Sequence, residues 1–188
     1  MDSVVYIIPG YTENVRTRGY RQVIRFFKQK HIKPVVVNIH WKYHTMLDYL
    51  DQFIAQYKPL AGRKTYLFGF SFGAMVAFLA SSLINPDKLY LCSLSPYFKE
   101  DLTYIKKRGR KALGKRKIRD FKTISFHDIA KKVFCKTILV AGNQESPDVL
   151  RRAYLARHEI TKAKFYLAKG ATHDLSQPEY LNALKKII

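Results

Sequence analysis

The sequence predicts a doubly wound α/β fold, a mainly parallel sheet of about six strands flanked on both faces by helices. Two observations carry this. Short β-rich runs, nearly continuous in apolar residues as buried parallel strands are, recur along the whole chain. Between them lie segments whose apolar residues are spaced three and four apart, and this alternation of strand and helix favours parallel crossovers. The 188 residues provide for one domain, residues 1–188, with a substantial core.

The predicted strands are Val4 to Ile8, Val35 to Ile39, Tyr66 to Phe70, Leu89 to Leu94, Thr137 to Ala141 and Lys164 to Leu167. Val23, Phe26 and Phe27 give one helix face, and Met46, Leu47, Leu50, Phe53, Ile54 and Tyr57 give the next. Ala74 to Ile84 is apolar nearly all round, as a helix buried on a sheet is, and Asn85-Pro86 stops it. Ser125 and Asp128 cap a short helix read through Phe134, and Ser146-Pro147 opens another with a cap and a first-turn proline. Ser176 with Glu179 reads as a capping box before Tyr180, Leu181 and Leu184.

One segment breaks the pattern. Residues 97–124, between the fourth and fifth strands, form a lid-like insertion in which nine of the fourteen residues 106–119 are basic, including Lys106-Lys107-Arg108-Gly109-Arg110-Lys111. The whole chain is basic, with 34 Lys plus Arg against 14 Asp plus Glu and a formal net charge of +20. Such a surface attracts nucleic acid, anionic lipid or acidic proteins without a specific site. A hydrophobic fraction of 47% nevertheless excludes global disorder. Cys92 and Cys135 fall within or beside strands, without metal-ligand spacing or a disulfide framework, so neither a metal nor a cofactor is expected. Met1-Asp2-Ser3 leads directly into the first strand with no leader pattern, no run reaches membrane-spanning length, and the expected compartment is the reducing cytoplasm.

Gly69-Phe70-Ser71-Phe72-Gly73 sits where a predicted strand ends and a predicted helix begins. A sharp turn there requires small residues at Gly69 and Gly73, lifts the Ser71 hydroxyl out at the carboxyl edge of the sheet, and aims it at a helix amino end that favours developing negative charge. A serine hydroxyl needs a base. Of six histidines, His173 lies in Gly170-Ala171-Thr172-His173-Asp174, a loop after the last strand and hence on the same edge as Ser71. The base needs an orienting carboxylate. Glu145, in the loop after the fifth strand, reaches that edge; Asp148 competes, although its place at a helix start is explained by the dipole alone.

Strand, Gly-x-Ser-x-Gly, helix, then an acid after a later strand and a histidine after the last one resembles the α/β-hydrolase superfamily, in the chain order Ser71, Glu145, His173. The resemblance spans nearly the whole chain, with the family's amino-terminal strands reduced. Val4-Val5-Tyr6-Ile7-Ile8-Pro9-Gly10-Tyr11 is similar to the strand and turn that supply one oxyanion-binding N–H; carried over, the backbone N–H groups of Tyr11 and Phe72 would hold the oxyanion. Pro9 stands where many members carry histidine, and there is no Gly-Gly-Gly run. The resemblance places the lid at the insertion. Tyr97 and Phe98, with Trp41, Phe70 and Phe72, are candidates to line an acyl pocket.

These residues imply a serine hydrolase acting on carboxylic esters or thioesters through an acyl-enzyme. The basic lid adds an acidic acyl carrier protein as a possible partner, or is simply a solvated charge run. The rival classes are a nucleic-acid-binding protein and an inactive partner-binding module, each on a hydrolase scaffold; the basic cluster lacks the interleaved aromatics of a base-stacking platform.

Overall fold

Ile8 ends the first strand within one register step of the turn that carries Ser71, and the sheet that brings them together is all parallel. A computed structural model describes residues 3–59, 61–105 and 107–188; Met1, Asp2 and Lys106 of the segments read above, and the side chains of residues 107–110, lie outside the described residues. The elements in chain order are β1 (Ser3–Ile8), α1 (Arg18–Gln29), β2 (Lys33–Val36), α2 (Met46–Gln56), β3 (Lys64–Phe70), α3 (Phe72–Ile84) and β4 (Lys88–Cys92). A 3-10 turn (Lys99–Asp101) follows, then α4 (Lys107–Phe121), α5 (Phe126–Ala130), β5 (Lys136–Gly142), α6 (Pro147–Glu159), β6 (Ala163–Ala168) and α7 (Pro178–Ile187).

The strand order is β2-β1-β3-β4-β5-β6. Because successive strand side chains alternate in direction, the sheet feeds two separate cores. Val5, Ile7, Phe68, Phe70, Tyr90 and Val140 pack against α1 and α7. Tyr6, Ile8, Leu67, Leu91 and Leu139 pack against the opposite layer, where α3 lies in the middle with ten buried residues. Each large apolar side chain fully buried there contributes about 1.5–3 kcal/mol. Asn85, in the left-handed conformation at φ 46°, ends α3 ahead of Pro86.

The sequence places the second strand at Val35 to Ile39, whereas β2 is Lys33–Val36. It is an edge strand with only β1 beside it, and Val37 contributes a single further bond, its N–H to the Ile7 carbonyl at 2.9 Å. In α2, Leu47 is exposed and Tyr49 takes the buried position, its hydroxyl donating to the carbonyls of Trp41 and His44. The expected box at Ser176 is absent: Gln177 caps α7, and the Ser176 hydroxyl instead accepts the Gly19 N–H at 3.1 Å. The helix read through Phe134 stops at Ala130, with Ser125 Oγ accepting the Asp128 N–H.

The insertion is docked on the body. Gly114, at φ 81° and ψ 155°, breaks α4 into two pieces. Asp120, in the second piece, caps α2 by accepting the Met46 N–H at 2.7 Å. Phe121 is buried. At the insertion's start, buried Asp101 accepts Arg152 Nε at 2.9 Å and Arg152 Nη2 at 2.6 Å, with the guanidinium lying over Phe126. Breaking a buried pair of this kind from one side costs about 3–5 kcal/mol, so the insertion is firmly attached to α6.

Candidate active site

The chain turns from β1 toward β2 on one side and from β3 toward β4 on the other, and α1 and α3 lie on opposite faces. The loops leaving β1 and β3 therefore part at the carboxyl edge and open a crevice, the usual ligand position in such sheets. Ser71 stands there, between β3 and α3, at φ 55° and ψ −119°. A non-glycine residue at positive φ is costly and persists only where its surroundings hold it. Part of that hold is its N–H, which donates to the Cys92 carbonyl at 2.9 Å. The flanking glycines have no room for a side chain: a Cβ on Gly73 would meet the Ile8 carbonyl oxygen at 2.2 Å, and one on Gly69 the Gly73 carbonyl oxygen at 2.2 Å.

Ser71 Oγ lies 2.9 Å from Nε2 of His173, and His173 Nδ1 lies 2.6 Å from Oε2 of Glu145. A carboxylate only accepts, so Nδ1 carries a hydrogen, and Nε2 is the nitrogen turned to the Ser71 hydroxyl. The His173 side chain is 41% exposed and that of Glu145 is 0% exposed, so the ring faces the crevice and the charge sits beneath it. Phe70 packs against the ring at 5.1 Å between centroids. Asp148 lies at the rim, 3.8 Å from Arg151, and the carboxylate on His173 is Glu145.

Three residues here were not anticipated. Glu145 Oε1 accepts the Ser93 hydroxyl and the Gly142 N–H, both at 2.7 Å. Ser93 Oγ is also 2.7 Å from the Tyr180 hydroxyl, which reaches the Val140 carbonyl at 3.1 Å. Burial, then the proximity of Cys92 and Glu145, pushes the Tyr180 phenol well above its usual range, so it stays a donor. Ser95 Oγ is 3.2 Å from Ser71 Oγ. Ser93 and Ser95 carry no sequence signal beyond following a strand, although Ser93 at φ 50° is a second strained position beside the site.

The crevice encloses about 770 Å³. Tyr11, Phe72 and Tyr97 line it with Ser71 and His173, and Ile105 and Ala112 of the insertion close one side. Three of the expected pocket residues are elsewhere. Phe98 is fully buried against Phe78 and Phe126, because the chain alternates direction after Tyr97. Trp41 is buried behind the wall, in T-shaped contact with the Tyr11 and Phe72 rings. Phe70 is likewise buried, behind His173. The turn before Tyr11 is held by the Gly10 N–H, which donates to the Tyr20 hydroxyl at 2.8 Å and to Glu13 at 3.2 Å, while that hydroxyl donates to Glu13. Lys117 Nζ lies 4.0 Å from the centre of the Tyr11 ring. Among the described residues, no group of three or more His, Cys, Asp or Glu could hold a metal ion, and no helix is long and apolar enough to cross a membrane.

No protein-family model matches the sequence, and no curated protein does. Solved structures do. Est1E from Butyrivibrio proteoclasticus superposes with a TM-score of 0.85 at 18% identity, covering 98% of this chain and 86% of that one. Mouse alpha/beta hydrolase domain-containing protein 10 gives 0.74 at 13% identity, over 98% and 87%. The thioesterase domain from the curacin biosynthetic pathway gives 0.69 at 17% identity, over 99% and 90%. The chain has the α/β-hydrolase fold. The α/β-hydrolase likeness covers 98% or more of this chain. On this α/β-hydrolase sheet Ser71, Glu145 and His173 follow β3, β5 and β6 in turn.

Proposed function

We propose that the chain is a serine hydrolase that cleaves carboxylic esters or thioesters through an acyl-enzyme. The observation that carries this is the continuous run from Ser71 Oγ through His173 to Glu145, at 2.9 and 2.6 Å. The neighbours lend support in their chemistry: one structure of Est1E has ferulic acid bound, and another neighbour is a thioesterase domain.

In the proposed reaction Ser71 Oγ attacks the acyl carbon while its proton passes to His173 Nε2, and the carbonyl electron pair moves to oxygen. The backbone N–H groups of Phe72 and Tyr11 stabilise that oxyanion. Phe72 is the first residue of α3, so its N–H has no intrahelical acceptor, and the helix dipole adds to its effect. Collapse expels the alcohol or thiol, which takes the proton from Nε2 and leaves an ester on Ser71. Water then attacks the acyl group, gives its proton to Nε2, and displaces Ser71, which recovers that proton as the carboxylic acid leaves. Glu145 holds the ring and balances the imidazolium formed in both halves. Lys117 and Lys115, at and beside the rim, are read as contacts for an anionic leaving group or an acidic carrier protein.

Turnover of a short-chain activated ester tests the assignment. Ser71→Ala should reduce kcat by about 10⁴-fold or more in a protein that still folds. Retained turnover would refute the nucleophile.

A further inference from the structure

A second concavity, of about 1080 Å³, runs along β6 on the far side of the sheet from β2. Six lysines line it, Lys88, Lys136, Lys162, Lys164, Lys169 and Lys186, against one carboxylate, Glu179. Among the described residues, the crevice at Ser71 is lined by Glu13 and Asp148 and by no lysine or arginine, with Lys117 over the Tyr11 ring at its mouth. Among the described lining residues, the groove carries more cations than the crevice does.

These charges are unbalanced. Lys88 and Lys136 are direct partners in the β4–β5 register and so project from the same face, where like charges repel. Thr137, next to Lys136, bonds to the Lys162 carbonyl, which brings a third lysine to the same end. Among the described residues none of the six lysines has a carboxylate oxygen within 4.0 Å.

The groove also follows a strand edge. Tyr166 and Leu167 are consecutive on β6 and so face opposite sides of the sheet, yet both line the groove and are 37% and 39% exposed. It must pass along the open edge, where one row of β6 backbone N–H and C=O groups has no strand beside it among the described residues. Lysines on such an edge oppose pairing with a second copy of the same strand, since that copy brings the same charges. They favour an acidic strand for the same reason.

We infer that this groove binds an extended acidic segment of a partner protein, which pairs with β6 through its main chain and meets the lysines with its carboxylates. Tyr166, Leu167 and Ile187 receive its intervening apolar side chains. A nucleic acid would use the lysines alone and leave the strand's amides free.

The test is fluorescence anisotropy of the full chain with a labelled peptide of about ten alternating Glu and Val residues, the length of a long strand. Saturable binding is expected, weakened about tenfold or more by Lys136→Glu with Lys164→Glu and to a similar degree by N-methylating alternate peptide amides. Amide exchange across Phe165 to Leu167 should slow on binding. Lys30→Glu with Lys33→Glu, exposed at the opposite edge of the sheet, changes the net charge equally and should alter affinity by no more than about twofold. Lys136→Ala with Lys164→Ala serves if the charge reversal unfolds the chain, with the same direction of effect. Equal binding of the N-methylated peptide, equal losses in the two charge-reversed variants, equal affinity for an oligothymidylate of the same charge, or no binding of the peptide would each overturn the proposal.

Discussion

Ser93 Oγ stands 2.7 Å from one oxygen of Glu145 while the other oxygen meets His173 Nδ1 at 2.6 Å. The carboxylate is thus held on both sides, and the ring orientation depends on a serine that touches no substrate. Ser93→Ala should lower kcat about ten- to a hundredfold with KM nearly unchanged, because it loosens the support of the reacting groups and not the binding surface. Tyr180→Phe keeps the Ser93 bond to Glu145 and should cost less, and the double variant should cost little more than Ser93→Ala alone. A fall in melting temperature with kcat intact would make Ser93 merely structural.

Glu145 and Asp148 are three residues apart, but only Glu145 meets the ring. Glu145→Gln should reduce kcat by about 10⁴-fold, as loss of the tautomer-fixing charge does in comparable triads. Asp148→Asn, at the exposed rim, should change kcat by no more than about threefold. A larger loss in Asp148→Asn under steady-state assay would transfer the role.

Lys117 sits over the Tyr11 ring at the crevice mouth, whereas Arg116 is bound to the Tyr43 carbonyl at 2.8 Å and faces α2. Of the two, Lys117 is the one placed at the crevice mouth. Lys117→Ser should lower kcat/KM for an anionic ester about three- to tenfold, leave a neutral ester unaffected, and flatten the salt dependence. Equal effects on both esters would mean that Lys117 only packs against Tyr11.

The central strands were legible in the sequence because burial on both faces demands continuous apolar runs, and Ser71 because its corner tolerates only glycine on either side. The loops bearing Glu145 and His173 could be located from strand order alone. What escaped was set by tertiary contact. Edge strand β2 carries a weaker pattern, and the apolar spacing of α2 cannot tell Leu47 from Tyr49, whose burial depends on the carbonyls that receive its hydroxyl. Phe98 and Tyr97 are equally aromatic, and only the path of the chain directs one to the core and the other to the crevice. Ser93 and Tyr180 are 87 residues apart and meet only through the fold.

Everything proposed for the crevice depends on Ser71 being an activated nucleophile. Treatment of the folded protein with a fluorophosphonate, followed by peptide mass spectrometry, tests it most directly. A single phosphonylated residue, Ser71, is expected, with labelling lost in His173→Ala. A folded protein that takes up no label, or takes it up at Ser71 equally well without His173, would contradict it.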